Sequence, residues 1–372
     1  MQHLRVAEAS TRIAGRVADA PVVGREDGFD FLSDAYARLH RNSGATAFQH
    51  PLWLDAFYRH LAEARGAERI VVTGRAASDG ALQLVLPMIR RRKSGVLLLE
   101  SCDLGVSDYA APVIARGLRI ESALSPSVLS CLPAHDVMRI RPVRAEHVAE
   151  WQFCLGGQAI RLDFAAHAAA LAPDFARWRS QAYGDSFRKM LDRKKKRFLK
   201  QDGARVRLLE APDEIGTAIA AIARLRAGRF EGDLIQESFV ARFYAEVASG
   251  GHAAGLARTY EIAIGGEPLG YAFGLTHGER FNYLLIGCDY ESHGRHSPGL
   301  VLYDSMIEDW IASHGRIFDF TIGDEPFKKD FGTEPTPIYE ITSLPTWRGR
   351  LAAAGFAARE HLRRLKPGSG AN

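Results

Sequence analysis

Hydrophobic residues in the first half of the chain change from helical to strand-like spacing. The segment 51–63 begins with Pro51 and repeats its apolar side chains at helical intervals, which predicts an amphipathic helix. Short apolar runs separated by polar or glycine-containing turns follow, and this pattern is typical of an antiparallel meander. The predicted strands of the meander are 68–75, 81–90 and 95–101. A mixed α/β unit is completed by a strand at 107–115, a helix around 119–131 and a strand at 135–141.

The second half shows the same alternation with stronger signals. A helix at 212–230 starts with proline and two acidic residues, and a helix at 237–251 ends at glycine. Strands with short glycine-containing turns surround these helices, and a loop then leads into a further helix and an apolar strand. The predicted strands are 204–210, 256–264, 268–276, 280–288 and 316–323, with a loop at 289–299 and a helix at 300–315. The element order is therefore β-α-α-β-β-β-loop-α-β.

A weak internal repeat relates the two halves. Cys102 and Asp103 each lie 186 residues before their counterparts Cys288 and Asp289, so that LLLESCD falls against YLLIGCD. Few other residues match, and a chance alignment of apolar strands is the alternative. The duplication therefore rests mainly on the shared order of elements, and we predict two copies of one fold.

Composition limits the classes of protein that this chain can represent. Its 372 residues suggest two domains at about 100 to 200 residues each. With 47% hydrophobic and 25% charged residues, disorder, collagen and coiled coil are excluded as the dominant state. The formal charge of +4 is too small to indicate a nucleic-acid wrapper.

The expected environment is reducing and cytoplasmic. The four cysteines have no C-x-x-C spacing, so neither a zinc knuckle nor a disulfide framework is indicated. The longest apolar stretch, 82–89, is far shorter than the roughly 20 residues that a membrane-spanning helix needs. Residues 1–20 contain several charges and no continuous apolar core, unlike a secretory signal. We therefore expect no membrane span.

The loop 290–300 connects a strand to a helix and is a candidate anion site. Gly294 and Gly299 allow sharp turns, and the first amides of the following helix have no partner within the helix. A helix N-terminus favours phosphate, and Arg295 and His296 would add positive charge. Neither nucleotide-binding glycine fingerprint occurs in the chain. Taken alone, the pattern is better explained as a plain loop with Pro298 at the helix start.

Two histidines in this loop raise the question of a metal. His293 and His296 are three residues apart and follow Asp289. A metal site needs a firm third ligand, and two histidines without one are more often solvated loop residues. We predict no metal.

Several motifs resemble one family of acyltransferases. The segments HSPGLVLYDSMIEDWIASHG (296–315) and FDFTIGDEPFKKDFG (318–332) resemble the GNAT branch of cellulose-biosynthesis-type acetyltransferases. The hallmark of that branch is an S-P-G helix start and a strand running into D-x-x-x-G-x-E-x-Y-K. TAFQHPLWLDAF (46–57) and LVLPMIRRR (84–92) resemble its N-terminal half. The resemblance covers about 45–345, and the branch is related to the Fem-type aminoacyltransferases, which also use tandem GNAT-like domains.

The resemblance implies a fold class and a domain organisation. The expected fold is α/β (α+β), with tandem GNAT-like domains that each contain a mixed, mainly antiparallel twisted sheet flanked by helices. The expected parts are an N-terminal extension at 1–44, an N-terminal GNAT-like domain at 45–165, a C-terminal acyltransferase domain at 166–345, and a C-terminal helix and tail at 346–372.

The resemblance also implies acetyl-CoA or another acyl-CoA as co-substrate. In GNAT folds the fourth and fifth core strands splay apart, and the pantetheine arm enters between them. Here that gap would lie between 281–288 and 317–323. The acyl carbonyl would then lie beside Leu285, Ile286 and Gly287. The pyrophosphate would lie on Gly294, Arg295, His296, Ser297, Pro298 and Gly299.

The residue that precedes the motif lysine departs from the family pattern. Phe327 stands where the family commonly has tyrosine, so that no phenol acid is present at that position. A thiolate leaving group, with a pKa of about 8.5, departs without strong help from an acid. Acyl transfer therefore does not require that phenol.

Carboxylates are the candidates for the proton acceptor that direct acyl transfer needs. Strand alternation places Asp319 on an otherwise apolar strand, with Asp324, Glu325 and Lys328 at its end, where α/β sites usually lie. We predict catalytic roles for Asp319, Asp324 and Lys328, and substrate binding by Arg229 and Glu325. A buried salt bridge from Asp319 to Lys328 or Arg229 is an equally weighted alternative for that carboxylate. Arg229 could instead cap its helix.

A basic run at 187–201 predicts an amphipathic helix. It contains eight cationic residues and a single acid, Asp192. The charged surface of such a helix is usually only solvated. In the Fem-type relatives a charged tRNA supplies the aminoacyl group, so this helix is the main argument for a tRNA-dependent alternative. An acyl-CoA donor is preferred because the chain lacks a long helical-arm insertion.

Together these features predict an N- or O-acyltransferase that acts on a sugar or a cell-envelope or exopolysaccharide precursor. One alternative is a Fem-like aminoacyltransferase that uses aminoacyl-tRNA. A second alternative is a non-catalytic GNAT-fold subunit in polysaccharide assembly. The sequence leaves the acceptor, the acyl length and the oligomeric state open.

Overall fold

A mixed sheet of 13 strands runs through the computed structural model, which describes residues 21–118 and 124–355. The first half supplies β1 (Val22–Arg25), β2 (Glu68–Arg75), β3 (Leu82–Lys93), β4 (Val96–Ser101), β5 (Val113–Ile114) and β6 (Val137–Arg144). The rest of the chain supplies β7 (Gln158–Ala170), β8 (Arg205–Leu208), β9 (Ala257–Ile264), β10 (Glu267–His277), β11 (Arg280–Cys288), β12 (Ile317–Ile322) and β13 (Glu334–Ser343).

The helices flank this sheet. They are α1 (Asp34–Arg41), α2 (Pro51–Ala56), α3 (Leu124–Ser130), α4 (Ala145–Leu155), α5 (Phe175–Ala182), α6 (Asp185–Leu199), α7 (Pro212–Arg226), α8 (Ser238–Ala253), α9 (Tyr290–His293), α10 (Pro298–Ala312) and α11 (Phe327–Asp330). A π-helical stretch, Phe57–Ala62, continues α2. Short 3₁₀ turns occur at Ala47–Gln49, Leu234–Gln236 and Gly294–His296. No helix in 21–118 or 124–355 is long and apolar enough to cross a membrane.

The strand order joins the two halves through β13. The order is β1-β2-β3-β4-β6-β13-β7-β12-β11-β10-β9-β8, and β5 pairs with β3 beside this path. Strand β13 comes from the C-terminal half, yet it is antiparallel to β6 on one side and to β7 on the other. The sheet is therefore continuous, and the boundary predicted between residues 165 and 166 falls inside β7.

The predicted elements agree closely with the structure in both repeats. Strands β2, β3 and β4 form the expected antiparallel meander. The order β-α-α-β-β-β-loop-α-β is confirmed by β8, α7, α8, β9, β10, β11, α10 and β12. In each half one strand pair is parallel, β4 with β6 and β11 with β12, and each of these pairs holds for only three residues.

Other expectations require correction or lie outside the described residues. The strand expected at 107–115 is reduced to β5, because the preceding residues form a loop that carries Tyr109 to the second half. The patterns did not indicate α4, β7 or β13. The helix expected around 119–131 is described only from Leu124 onward. Residues 1–20 of the predicted N-terminal extension (1–44), and residues 356–372 of the predicted C-terminal helix and tail (346–372), lie outside the described residues.

One hydrophobic core is shared by both halves. It contains Trp53 of α2 and the aromatic residues of the π-helical stretch, together with apolar side chains of α7 and α8. The Trp53 ring, for example, packs edge-on against Phe243 of α8 at a centroid distance of 4.8 Å. A second core lies under α6 and α10, on the other face of the second half. Such apolar packing stabilises the contact between the halves and restricts their relative movement.

Three histidines meet where the first half touches the turn between β10 and β11. The ring centroids of His40 and His50 are 5.4 Å apart, and those of His40 and His277 are 4.9 Å apart. The His50 Nδ1 accepts a hydrogen bond from the Leu52 amide at 3.2 Å and so caps α2. Burial lowers the pKa of His40 to about 4 and that of His50 to about 3, and the neighbouring histidines add to both shifts.

We expect the free energy of unfolding to fall as the pH drops below about 6.5, where an unfolded histidine takes up a proton. Each such histidine steepens this dependence by up to about 1.4 kcal/mol per pH unit until its folded pKa is reached. His50→Asn keeps an N-cap acceptor but removes one titrating ring, so that denaturant unfolding between pH 6 and 4 should show a shallower slope. Near pH 8 the difference in unfolding free energy between the variant and the wild type should not change with pH. Identical slopes below pH 6 would contradict the prediction.

Candidate active site

A cavity of about 830 Å³ lies between the two halves, and we call it the central cavity. Its walls come from the C-terminal end of α7, the second half of β11, the start of α10 and the end of β12. The loop after β4 contributes Gly105, Val106 and Asp108 from the first half. The central cavity is therefore built by both copies of the fold.

The central cavity exists because β11 and β12 separate. They pair only from Arg280–Asn282 to Ile317–Asp319, and β11 continues to Cys288 without β12 beside it. At the point of separation Thr321 has a φ of +60°, which is a rare conformation for a β-branched residue. The register between β12 and β7 shifts at the same place. The predicted gap between 281–288 and 317–323 is therefore present, although it begins only beyond the three paired residues.

The Asp319 carboxylate lies behind this separation and does not line the central cavity. Its side chain is 1% exposed. It accepts hydrogen bonds from the Tyr109 hydroxyl at 3.0 Å, from Arg280 Nη1 at 2.7 Å and from the Thr321 amide at 2.8 Å. The sequence suggested Lys328 or Arg229 as the ion-pair partner of Asp319. That prediction is wrong, because Arg280 forms the ion pair.

Lys328 lies in the cavity wall at the end of β12. Its side chain is 3% exposed, and its Nζ donates to the carbonyls of Ile322 and Gly323 at 2.9 Å each. It also forms an ion pair with Glu325 at 2.9 Å, and that carboxylate is 56% exposed at the cavity surface. The ammonium therefore holds the strand end in place and adds a fixed positive charge to the central cavity.

Asp324 is turned away from the central cavity. Its carboxylate accepts a hydrogen bond from His167 Nε2 at 2.8 Å, and this bond holds the pKa of Asp324 below its usual value. The side chain is 53% exposed. The structure thus separates two of the predicted catalytic residues, Asp319 and Asp324, from the third, Lys328.

Asp108 was not predicted from the sequence, yet it lies in the wall of the central cavity. Burial raises the pKa of its carboxyl to about 7, and the nearby carboxylates of Asp103 and Asp319 act in the same direction. A hydrogen bond with Thr321 opposes this shift. A carboxyl group with a pKa near neutrality can take up and release a proton at physiological pH.

The start of α10 is arranged as an anion site. Ser297 adopts a left-handed conformation with a φ of +50°, and Pro298 occupies the first turn of the helix. From α6, Lys194 Nζ contacts the Ser297 hydroxyl, and Arg197 Nη1 donates to the Arg295 carbonyl at 3.3 Å. The helix amides and these cations therefore lie close together, which favours phosphate.

Six of the nine predicted cofactor residues line the central cavity. They are Leu285, Ile286, Gly287, Gly294, Ser297 and Gly299. Arg295, His296 and Pro298 do not line it, and Arg295 is exposed to solvent. His296 is 2% exposed and accepts a hydrogen bond from Arg295 Nε at 3.0 Å, and burial lowers its pKa.

Gly299 has a reason to be glycine that does not involve a ligand. A Cβ at this position would overlap with the hydroxyl of Tyr290. A substitution there would disturb the cavity wall whatever the cavity binds, so it is a poor probe of phosphate binding.

Two arginines cover the free edge of β11. Arg226 Nη1 donates to the Ile286 carbonyl at 3.2 Å and also forms a two-point ion pair with Asp233. Arg229 Nη1 donates to the Cys288 carbonyl at 3.1 Å, and its guanidinium lies 4.5 Å from the centroid of the Tyr290 ring. These arginines satisfy carbonyls that β12 leaves without a partner.

Other reactive groups in the central cavity are held in their neutral forms. Tyr283, Tyr290 and Tyr303 supply phenols, although Phe327 stands at the expected tyrosine position and stacks on Tyr303. Burial raises the pKa values of all three tyrosines. Burial likewise raises the pKa of Cys288 to about 12, so that this residue stays a thiol and does not act as a nucleophile.

The part of the chain that the structure describes holds no cluster of three or more metal-ligating side chains. The rings of His293 and His296, the pair considered from sequence, have centroids 6.4 Å apart.

A comparison with protein-family models matches residues 185–329 to the acetyltransferase (GNAT) domain. This segment contains α6, β11, α10 and β12, and so most of the central cavity. It defines the class of enzyme, an acyltransferase, and GNAT acyltransferases in general use an acyl-CoA as co-substrate. A search of the curated proteins found none with significant similarity to the chain.

Solved structures show the same fold over most of the chain. The structure of FemX has a TM-score of 0.55 and 12% identity, and the match covers 82% of this chain and 94% of that one. A conserved protein of unknown function from Bacteroides thetaiotaomicron has a TM-score of 0.53 and 13% identity, with coverage of 86% and 99%. The expected α/β fold class with tandem GNAT-like units is confirmed.

Asp319→Asn should lower the free energy of unfolding by about 3 kcal/mol, because Arg280 and Tyr109 lose their buried ionic partner. Urea unfolding of the purified variant measures this loss. Asp309→Asn is a matched control, since its carboxylate also bonds a tyrosine and an arginine, Tyr260 and Arg258, but is 42% exposed. We expect the control to lose no more than about 1 kcal/mol. Equal losses in the two variants would contradict the role of burial.

Proposed function

We propose that the chain transfers an acyl group from acyl-CoA, with acetyl-CoA as the first donor to test, to an amine or hydroxyl of a small acceptor. A sugar or a precursor of the cell envelope or of an exopolysaccharide is the acceptor class suggested by the sequence motifs. The observation that carries the proposal is the separation of β11 and β12 beside the cationic start of α10, with Asp108 in the same cavity wall. Because acyl-CoA is made inside cells, the proposal expects a cytoplasmic protein.

The donor would bind along the separated strands. Its phosphates would lie at the start of α10, where the helix amides and Lys194 supply positive charge. Its pantetheine arm would follow β11 past Leu285, Ile286 and Gly287. Arg226 and Arg229, which now cover β11 carbonyls, would turn aside or hydrogen-bond the arm.

The chemical step would be direct transfer. The acceptor lone pair attacks the thioester carbonyl carbon, the bond from carbon to sulfur breaks, and CoA leaves as a thiolate. Asp108 takes the proton that the acceptor loses, and its pKa of about 7 suits this exchange. The buried ammonium of Lys328 adds positive potential where negative charge develops. Asp319 acts as a positioning residue, because it holds the Thr321 amide at the point of separation.

A second candidate is aminoacyl transfer from a charged tRNA. The exposed cations of α6 favour it, since Arg193, Lys196 and Arg197 are exposed on the same helix that supplies Lys194. Lys195, in contrast, pairs with the fully buried Asp304 at 2.9 Å and is structural. Binding of tRNA with a steep dependence on salt, together with no binding of acetyl-CoA, would favour this candidate.

Lys194→Gln should weaken acetyl-CoA binding by about tenfold, because a cation beside the expected phosphates is lost. Isothermal titration of acetyl-CoA measures this change. Lys189→Gln removes an exposed cation from the same helix and should leave the affinity unchanged. An affinity that is equal in the wild type and both variants would remove the start of α10 from the donor site.

Asp108→Asn should lower kcat by about 10² to 10⁴ and leave the Kd for acetyl-CoA unchanged, because only the proton acceptor is lost. In the wild type, kcat should rise with pH to a plateau above about 7, as the Asp108 carboxyl ionises. Glu231→Gln changes an exposed carboxylate in the same cavity wall and is the control. A variant that retains the wild-type kcat and pH profile would show that another group takes the proton.

A further inference from the structure

A second cavity, of about 470 Å³, lies at the corresponding place in the first half, and we call it the basic cavity. Strands β4 and β6 pair only up to Glu100 and Arg139, as β11 and β12 pair only up to Asn282 and Asp319. The basic cavity opens just beyond that last pair. It is the first copy's counterpart of the central cavity.

Its lining is dominated by cations. Five cationic side chains face two carboxylates, Glu100 and Asp103. The cations are Arg65, Arg91, Lys93, Arg139 and Arg141. Four of the five are guanidinium groups, which are planar and present paired donors that suit phosphate oxygens.

The protein neutralises this charge only in part. Glu100 pairs with Arg91 Nε at 2.6 Å and with Arg139 Nη2 at 2.5 Å. Arg65 pairs with Glu237 outside the cavity at 2.6 Å. Arg141 reaches Glu340, also outside the cavity, only at 3.4 Å. No ion pair of Lys93 occurs within the described ranges. The Nε of Arg139 is buried and has no hydrogen-bond partner there.

The basic cavity and the central cavity meet at one turn. Asp103 and Leu104 line the basic cavity, Val106 and Asp108 line the central cavity, and Gly105 lines both. The turn packs closely against Leu234, because a Cβ on Gly105 would lie 2.6 Å from the Leu234 Cδ1 methyl. A ligand with its anionic part in the basic cavity would therefore extend over Gly105 toward the carboxyl of Asp108.

We propose that the basic cavity binds a phosphate or diphosphate group of the acyl acceptor. The acceptor would then present its amine or hydroxyl beside Asp108, on the opposite side of Gly105. The anion site itself stands on the cationic lining, whereas its role in acceptor binding rests on the proposed acyl transfer. The acceptor class is a phosphorylated compound, either a soluble nucleotide-linked sugar or a lipid-linked diphosphate.

Isothermal titration of inorganic pyrophosphate, in the presence of saturating acetyl-CoA, tests the anion site. The Lys93→Gln/Arg141→Gln variant should bind pyrophosphate at least tenfold more weakly than the wild type, and neither change removes a partner of Glu100. Lys189→Gln is the control for loss of surface charge and should bind as the wild type does. Absence of binding at millimolar pyrophosphate, or equal affinity in all three proteins, would overturn the site.

The proposed acyl transfer is judged separately on the same samples. If acetyl-CoA fails to bind the wild type while pyrophosphate binding still depends on Lys93 and Arg141, the donor is wrong and the anion site stands. Displacement of pyrophosphate by a nucleotide-diphosphate sugar supports a soluble acceptor, and displacement by a short polyprenyl diphosphate in detergent supports a lipid-linked one. Displacement by neither compound would overturn the role in acceptor binding.

Discussion

The buried carboxylate of Asp319 is the constraint on which the shape of the central cavity depends. It joins three parts of the molecule, since it accepts hydrogen bonds from Tyr109 of the first half, from Arg280 of β11 and from the Thr321 amide of β12. The left-handed conformation of Thr321 costs of the order of 1 to 3 kcal/mol and persists only where its surroundings determine it. Because the backbone of β12 is held in this irregular conformation at Thr321, β12 separates from β11 and the central cavity can form.

The same carboxylate links the fold to the chemistry. Because Tyr109 is anchored to Asp319, the neighbouring Asp108 is carried into the wall of a cavity that belongs mainly to the second half. The charge of Asp319 also contributes to the raised pKa of Asp108. A residue that does not line the central cavity thus fixes the position of Asp108, which does, and adds to the rise in the Asp108 pKa that burial mainly causes.

The sequence predicted local structure well and the relation between the halves poorly. Apolar spacing located β11 and β12, and the glycine-bearing loop located the start of α10. Strand β7 was missed because its C-terminal part is rich in alanine, which favours helix, and its strand form is imposed by pairing with β12 and β13. Asp108 was missed because its position depends on packing between the halves, and the available signal was only an acid near the start of the strand predicted at 107–115.

Both copies of the fold contain the same backbone feature, a short parallel strand pair that separates. The side chains at the separation differ in chemistry between the copies. In each, a parallel strand pair ends after three residues and opens a cavity beyond its last pair. In the first copy that last pair is Glu100 and Arg139, and the side chains themselves form the ion pair, so the cavity is lined by charge. In the second copy the Asp319 carboxylate accepts hydrogen bonds from Arg280 and Tyr109. The Asn282 side-chain amide donates to a backbone carbonyl. The part of β11 just beyond this pair, Tyr283 to Ile286, lines the central cavity with tyrosine and apolar side chains, which suit an acyl group better than an anion.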